Sequence, residues 1–177
     1  NPGHWIYREK IEVNHEDIAN RLAHESIKSG ALGIEFILAG NLKCDLNILL
    51  NGLFSADRYV NVSVDYNPVE FLNQLLEYLT ATKLDNSKVR GGMNYDPIKK
   101  LSLTGNIEYS EFDLLAKMIR LTSGLNFFRS ITINTSYLHN SYANTVQEIA
   151  FTLSILVDYL DQLTERGISP SEMLDNL

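Results

Sequence analysis

Apolar and polar residues alternate along two stretches of the chain with the two-residue period of a β-strand. The stretch YVNVSVDY at 59–66 alternates strictly, and ITINTS at 131–136 begins in the same way. The apolar run at 32–38 predicts another strand. The stretch at 89–95 predicts one more, weakened by Gly91 and Gly92. The pattern therefore predicts four strands, preceded by an irregular lead-in over residues 1–13.

Capping residues and helical periodicity predict one helix before the first strand and one after each strand. Asn14, with Asp17 three residues later, predicts the start of the first helix. Its apolar residues Ile18, Leu22 and Ile27 are expected to face inward, and a C′ glycine at position 30 is expected to end it. The other predicted helices lie at about 46–54, at 69–79 after the Asn67-Pro68 cap, at 110–122 from Ser110, and from Asn144 with Gln147 at N3 to Gly167 and Pro170. A helix followed by four strand–helix units predicts a parallel sheet with right-handed crossovers.

The two faces of the predicted sheet differ in polarity, whereas parallel strands covered by helices on both faces are apolar on both. Two interpretations are open: a sheet with one solvated face, or a barrel with outer helices and an interior of small polar residues. The second interpretation leaves room along the barrel axis. The apolar face carries Val60, Val62, Val64, Ile131 and Ile133; the other carries Asn61, Ser63, Asp65, Thr132, Asn134 and, in the third strand, Arg90, Gly92 and Asn94.

Composition is that of an ordinary globular protein, with 45% hydrophobic and 21% charged residues among 177. The net charge of −7 argues against a general nucleic-acid surface. The sequence has no apolar run long enough to span a bilayer and no signal-peptide pattern at its start. The single cysteine, Cys44, excludes an intrachain disulfide, so a cytoplasmic location is expected. The sequence also lacks CxxC, HExxH and Walker motifs and metal-ligand histidine spacing, so no metal site is expected.

The run EIAFTL at 148–153, followed by VDYL at 157–160, resembles the methylmalonyl-CoA mutase family. In that family a strand ending in SISGYH leads into a helix with ELAYTL and then VEYL. The stretch ALGIEFIL at 31–38 resembles the first barrel strand of the family, and GGMNYDPI at 91–98 resembles the GSLGxDPI segment of its small subunits. The resemblance implies a barrel that threads the pantetheine arm of coenzyme A along its axis through small polar residues. The polar face of the predicted sheet agrees with that architecture.

The expected fold class is α/β, a partial TIM (β/α)8-type barrel with about four parallel βα units. Residues 1–177 are expected to form a single domain, a fragment of the substrate-binding barrel of the mutase. A complete barrel takes about 250 residues, and four strands supply half of one. Either the remaining strands have been removed from the sequence, or the half-barrel pairs with another chain.

The sequence departs from the catalytic subunit of the family at two places. That subunit has a histidine eleven residues before the helix glutamate. Here Tyr137 stands eleven residues before Glu148, and His139 follows two places later. The family motif Asp-x-His-x-x-Gly, whose histidine ligates the cobalt of cobalamin, does not occur in the sequence. The resemblance therefore implies the small, non-catalytic (beta) subunit, with neither catalysis nor adenosylcobalamin binding by this chain alone.

In the parent assembly, the resemblance implies a heterodimer of this subunit with a catalytic large subunit. That assembly isomerises (R)-methylmalonyl-CoA to succinyl-CoA in propionate metabolism by adenosylcobalamin radical chemistry, and the small subunit stabilises it. Two alternatives stay open: a catalytic acyl-CoA mutase substrate domain that uses His139, with the cobalamin domain on another chain, and a stand-alone half-barrel interaction module. When isolated, the chain is expected to form a homodimer through its open sheet edges.

Tyr137 and His139 are the catalytic candidates if the chain is an enzyme. The candidates for residues that face substrate inside the barrel are Asn61, Ser63, Asp65, Asn94, Thr132 and Asn134.

Five further residues carry narrower expectations. Asp96 is expected to cap the turn that begins at Pro97, and Asp65 either binds a ligand or hydrogen-bonds backbone. Glu35 is expected to be solvated or paired. An N-terminal arm with Trp5 and Tyr7 either anchors on a partner or folds back onto the chain.

Overall fold

Five parallel strands form one sheet in which each strand pairs with the next along the chain. The structure, a computed structural model, describes residues 6–40 and 44–177. Sequential strand order with helical crossovers is the arrangement of a (β/α)8 barrel wall. The predicted class, α/β with part of a TIM-like barrel, is therefore confirmed. The strands are β1 Arg8–Glu12, β2 Gly33–Leu38, β3 Tyr59–Val64, β4 Arg90–Met93 and β5 Phe127–Arg129.

Helices connect the strands and cover one face of the sheet. Asn67 caps the helix after β3 through the Val69 N–H, as predicted. Asn144 and Gln147 form the predicted capping box of the longest helix. The helices are α1 Glu16–Lys28, α2 Leu46–Leu49, α3 Pro68–Thr82, α4 Pro97–Thr104, α5 Ser110–Thr122, α6 Ser136–Asn140, α7 Thr145–Glu165 and α8 Pro170–Asp175, with a 3-10 turn at Asn86–Lys88.

The core lies between the sheet and these helices. The valines of β3 that were predicted to face the helices, Val60 and Val62, are buried there beside Phe36 of β2. Phe71 and Leu72 of α3 cover them from the helix side. The opposite, inner face of the sheet carries Lys10, Glu35, Asn61 and Ser63 in neighbouring strands. The predicted difference in polarity between the two faces is thus present in the structure.

The expected irregular lead-in was wrong, because residues 8–12 form β1. This strand pairs with β2 along its whole length. Only Ile11 of its five residues is buried, since the inner face of the sheet is polar and leaves Arg8, Lys10 and Glu12 hydrated. A strand with so little apolar alternation is hard to recognise from its own sequence. Trp5 lies outside the described residues, and the Tyr7 hydroxyl donates to Glu9 Oε2 at 2.7 Å.

The predicted fourth strand at 131–136 was also wrong. The strand lies earlier, at β5, where Phe127–Arg129 pair with Arg90–Gly92. A Cβ on Gly92 would lie 2.2 Å from the Arg129 carbonyl oxygen, so β4 and β5 can approach closely only because Gly92 has no side chain. Beyond β5 the backbone no longer pairs with β4, and the Ile131 N–H donates instead to the Asn176 carbonyl at 3.0 Å. The segment then turns into α6, which was not predicted.

The predicted inward face of α1 was partly wrong. Ile18 and Leu22 are both 41% exposed, while Ala19 and Ala23 are buried. Asn20 fixes this rotation, because its Nδ2 donates to the Leu49 carbonyl at 2.9 Å and to the Asn51 carbonyl at 3.0 Å. Small residues on the buried side let α1 pack close to its neighbours, and a contact with α2 decides which face of the helix is buried.

Candidate functional site

A cleft of about 790 Å3 opens where strands β2, β3 and β4 end. The carboxyl ends of the strands are the usual place for ligand sites in parallel α/β folds. The structure brings nearly all the predicted barrel-facing residues to this cleft. Its lining includes Ser63, Asp65, Asn94, Thr132 and Asn134. Asn61 lies apart from them and lines a second cavity of about 630 Å3.

Glu35 is the centre of a polar network in the cleft, and sequence reasoning did not include it among the site residues. Its Oε1 accepts hydrogen bonds from Ser63 Oγ at 2.9 Å and from Asn94 Nδ2 at 2.6 Å. The second oxygen lies 3.8 Å from Lys10 Nζ. Glu35 is only 6% exposed, so of the two expectations, solvated or paired, the structure shows the paired one. The sequence feature that could have identified Glu35 as a site residue is its position on the same face of β2 as Gly33 and Ile37.

The Asn94 side chain extends this network towards the segment after β5. Thr132 Oγ1 donates to the Met93 carbonyl at 3.0 Å and lies 3.5 Å from Asn94 Oδ1. Asn94 Nδ2 also reaches Ser63 Oγ at 3.2 Å. The polar side chains of three separate segments are therefore bonded to one another, and they do not project free into the cleft.

Asp96 joins three parts of the chain at the rim of the cleft. Its Oδ1 accepts from the Lys99 N–H at 2.9 Å, which caps α4 as the sequence predicted. The same oxygen accepts from the buried Tyr159 hydroxyl at 2.6 Å, and Oδ2 accepts from the Asn134 N–H at 2.8 Å. Burial of Tyr159, together with the charge of Asp96, raises the pKa of that phenol. Both oxygens of Asp96 therefore hold the fold together.

A second carboxylate of the cleft, Glu111, is bonded by Tyr95 and Lys100. Burial alone would raise the pKa of Glu111, but hydrogen bonds from Lys100 and Tyr95 outweigh burial and hold that pKa below its ordinary value. The hydrogen bond to Glu111 is also the main reason that the pKa of Lys100 is raised. Burial raises the pKa of Tyr95, and the hydrogen bond that the Tyr95 hydroxyl donates to Glu111 raises it further. None of the three was predicted, because no local pattern connects positions 95, 100 and 111.

Asp65 also contacts backbone, one of the two alternatives expected for it. Its Oδ1 accepts from the Gly40 N–H at 2.7 Å. Tyr66, the next residue, lines the cleft, and burial raises the pKa of its phenol to about 12. The four carboxylates of the cleft are therefore all bonded to groups of the chain itself. This arrangement can bind a ligand through amide, hydroxyl and ammonium groups, but the described residues that line the cleft offer no unbonded carboxylate as a general base.

The two catalytic candidates lie outside the cleft. The Tyr137 hydroxyl donates to Ser102 Oγ of α4 at 3.0 Å. His139 Nδ1 lies 2.8 Å from Glu148 Oε1, so the fold supplies the carboxylate partner that the sequence did not place nearby. The His139 side chain is 77% exposed, however, and does not line the cleft. The structure does not bring Tyr137 or His139 together with the polar network around Glu35.

Two further features bear on the type of site. Within residues 6–40 and 44–177, no group of three or more histidine, cysteine, aspartate or glutamate side chains is arranged to hold a metal ion. Over the same residues, none of the helices is long and apolar enough to cross a membrane.

Comparison with known proteins identifies relatives of the chain. A model of the family described as methylmalonyl-CoA mutase matches residues 38–177. The chain is also similar to the methylmalonyl-CoA mutase small subunit of Porphyromonas gingivalis, with 24% identity over 180 aligned residues. That alignment covers 98% of the chain and 29% of the subunit, so the chain spans less than a third of the length of this curated relative.

Proposed function

The chain belongs to the methylmalonyl-CoA mutase family, and from this premise we propose that it acts as part of a small, non-catalytic subunit. In this proposal the chain stabilises a catalytic large subunit, and the assembly isomerises (R)-methylmalonyl-CoA to succinyl-CoA. The similarity to a protein named small subunit supports the assignment. The chain then contributes one domain, a segment of the barrel wall, to that assembly.

The observation that carries the proposal is the bonding of every carboxylate in the cleft. Glu35, Asp65, Asp96 and Glu111 each accept hydrogen bonds from backbone or side-chain groups of the chain. A general acid or base has to exchange a proton with substrate, and a carboxylate whose oxygens hold the fold together is poorly placed for that. This bonding is what a supporting subunit needs, because it keeps the barrel wall rigid.

Adenosylcobalamin supplies radical chemistry in the assembly that we propose, and the described residues of this chain do not fit it. The family histidine that ligates cobalt stands in an Asp-x-His-x-x-Gly motif, which does not occur in this sequence. His15 precedes α1, His24 Nε2 lies 3.0 Å from the Asn51 carbonyl oxygen, and His139 pairs with Glu148 outside the cleft. We therefore place the cofactor on the partner subunit. Ultraviolet–visible titration of the isolated chain should show no base-off, histidine-on spectrum at micromolar concentration, and such a spectrum would contradict this placement.

A catalytic acyl-CoA mutase domain is the second candidate, and one contact favours it. His139 Nδ1 lies 2.8 Å from Glu148 Oε1, and His139 follows by two places the position at which the resemblance puts the catalytic histidine of the family, Tyr137. Isomerase activity of the reconstituted assembly separates the two candidates. We expect His139→Ala to leave the turnover rate unchanged, like the matched variant His24→Ala. A loss of turnover by about a hundredfold or more in His139→Ala alone would establish the catalytic alternative.

The main proposal is tested by co-expression with a catalytic large subunit of the family. We expect the two chains to co-purify and the large subunit to melt at a higher temperature in the complex, since a partner that binds only the folded state stabilises it. Separate elution of the two chains, with no change in melting temperature, would rule out the stabilising role.

We further propose that the isolated chain forms a homodimer through the open edges of the sheet. Among residues 6–40 and 44–177, β1 and β5 each have a neighbouring strand on one side only, and unpaired strand edges favour pairing with another chain. Sedimentation velocity at tens of micromolar should show a dimer, whereas a monomer of 20.1 kDa would contradict this proposal.

We also propose a reducing cytoplasmic setting, since Cys44 is a buried free thiol.

A further inference from the structure

The second cavity, of about 630 Å3, lies on the inner face of the sheet towards the amino-terminal ends of the strands. It adjoins the cleft at Asn94 and Thr132, which line both spaces. Strand register explains part of the space. Gly92 pairs with Asn61 on one side and with Arg129 on the other, and it has no side chain to fill the gap between them. A volume of this size is typical of a pocket for a small molecule.

Three arginines line the second cavity, and no aspartate or glutamate of the described residues does. Arg8 begins β1, Arg90 begins β4 and Arg129 ends β5. The salt bridges within the described part of the chain involve other cations. The remaining residues, 1–5 and 41–43, contain no acidic residue. In a chain with a net charge of −7, the second cavity therefore concentrates positive charge that favours an anion.

Arg90 is held in place by an aromatic ring and still needs an acceptor. Its guanidinium carbon lies 4.1 Å from the centroid of the Phe127 ring, and the two residues are paired between β4 and β5. Stacking on a ring restricts a guanidinium but leaves the N–H groups in its plane free to donate. Within residues 6–40 and 44–177, Arg90 Nε is buried and has no hydrogen-bond partner. Buried polar groups in folded proteins are nearly always bonded, so this donor indicates a missing acceptor.

Asn61 and Arg129 complete the polar side of the second cavity. Asn61 is 8% exposed, and its Oδ1 also lacks a hydrogen-bond partner among the described residues. Arg129 Nη1 donates to the backbone carbonyls of Asn126 and Asp175. These bonds fix the side chain of Arg129 but leave its charge without a carboxylate. Arg90 and Arg129 lie on adjacent strands two positions apart in register, a spacing that long side chains can bridge.

The rest of the cavity wall is largely apolar. Besides Phe127, it includes Ile131, Ile133 and Leu156. A phosphate dianion needs donors around three oxygens, whereas a carboxylate needs donors only around two oxygens in one plane. The remainder of a carboxylic acid can be a hydrocarbon, which such a wall accommodates. The combination of paired arginines and apolar side chains therefore favours an organic acid over phosphate.

We propose that the second cavity binds a small aliphatic carboxylic acid in its ionised form. Its carboxylate lies between Arg90 and Arg129 and accepts from both guanidinium groups. Its hydrocarbon part packs against Phe127 and the apolar wall. Arg8 adds positive charge at the rim. The inference depends on the second cavity alone and holds whichever subunit of the assembly catalyses the reaction.

Isothermal titration of the 177-residue chain tests this site with isocaproate and with its uncharged analogue, isocaproamide. The two molecules have nearly the same shape and differ in the charged group that the arginines would bind. We expect isocaproate to bind at least about tenfold more tightly than isocaproamide, and the difference to shrink as salt is added. Inorganic phosphate, titrated in the same way, should bind more weakly than isocaproate.

Four variants locate the binding. Arg90→Gln should weaken isocaproate binding by about tenfold or more, and Phe127→Leu, which keeps apolar bulk but removes the stacking ring, by about threefold. Arg8→Gln removes charge at an exposed position, so it should fold normally and weaken binding by about twofold. Arg21→Gln is the matched control, because Arg21 is an exposed residue of α1 that does not line the cavity, and it should leave binding unchanged. Thermal melting followed by circular dichroism checks that each variant is folded.

Several results would overturn the proposal. Equal affinity for isocaproate and isocaproamide would make the cavity an apolar pocket without a carboxylate site. Tighter binding of phosphate would assign it to another class of anion. An equal loss in Arg21→Gln and Arg90→Gln, or in Arg21→Gln and Arg8→Gln, would reduce the effect to the general charge of the chain. Absence of isocaproate binding at tens of millimolar would also refute it, whereas co-purification with a large subunit tests the stabilising role separately.

Discussion

Replacement of Glu35 by alanine tests whether the polar network holds the inner face of the sheet together. The carboxylate is 6% exposed and accepts hydrogen bonds from Ser63 and Asn94. It also lies 3.8 Å from Lys10, whose side chain is 69% exposed. Three strands and their polar side chains therefore meet at one side chain, which the substitution removes.

The expected loss follows from these contacts. A hydrogen bond to a charged group contributes about 1.5–3 kcal/mol, and Glu35 accepts two of them. Removing the carboxylate also removes the cost of burying it, which is several kcal/mol. Ser63 and Asn94 keep the contact of 3.2 Å between them, so neither is left without a partner. The exposed Lys10 contributes less than about 1 kcal/mol. We therefore expect Glu35→Ala to lower the free energy of unfolding by about 1–3 kcal/mol.

Equilibrium unfolding in urea, followed by circular dichroism at several pH values, measures this change. Glu35→Gln keeps an acceptor oxygen but loses the charge, so it should cost roughly half as much as alanine. Glu12→Ala provides the matched control, since Glu12 is an exposed glutamate on the neighbouring strand, and surface changes usually stay within about 0.5 kcal/mol. If Glu35→Ala were as stable as the wild type, or no worse than Glu12→Ala, the network could not be what orders the inner face.

Three further predictions follow from buried groups. Val62→Ala should lower the free energy of unfolding by about 1–3 kcal/mol, because it opens a cavity in the core. Ser63→Ala should lower it by only about 1 kcal/mol, because Glu35 keeps its hydrogen bond from Asn94 when the bond from Ser63 is lost. A larger loss for Ser63→Ala in urea would reverse the assignment of the two faces. Because its folded-state pKa is lowered, ionised Glu111 stabilises the fold fully above its ordinary value of 4.5, and this stabilisation disappears as the pH falls through the folded-state pKa. Glu111→Gln should therefore melt at a lower temperature than the wild type at pH 7 and at nearly the same temperature at pH 2; equal losses at both pH values would contradict the ionic role. Burial raises the pKa of Cys44 to about 12, so the folded chain should react with a thiol reagent at pH 8 much more slowly than the urea-unfolded chain, and equal rates would contradict its burial.

The sequence alone placed those cleft residues whose side of the sheet follows from the apolar–polar alternation of one strand. Ser63 and Asp65 were placed on the polar side of β3 by alternation alone, and both line the cleft. Thr132 and Asn134 also line it, although the strand expected to carry them lies earlier in the chain. The Thr132 hydroxyl donates to the Met93 carbonyl and the Asn134 backbone N–H donates to Asp96, and these two bonds hold the segment against the cleft. Thr132 and Asn134 thus line the cleft for a reason other than the strand alternation from which they were predicted to face the barrel axis.

The sequence could not identify the groups that most strongly shape the cleft. Glu35 and Asn94 are 59 residues apart, and only strand pairing brings them to 2.6 Å. Tyr95 and Glu111 are 16 residues apart and meet because α4 turns back towards the start of α5. Whether such a carboxylate is buried and bonded or exposed and free depends on neighbours that no local pattern specifies.

The sequence by itself determined the alternation of strands and helices from β2 to β4, the caps at Asn67, Asp96 and Asn144, and the polar side of the sheet. These features depend on residues within one turn or one strand of each other, such as Asn144 and Gln147 in the capping box of α7. The tertiary structure alone decided that residues 8–12 form an edge strand, since their pairing with β2 supplies the order that their charged sequence does not. It also decided which sides of α1 and α7 are buried, because packing against the rest of the chain, and not the apolar pattern of each helix, selects the face that leaves water.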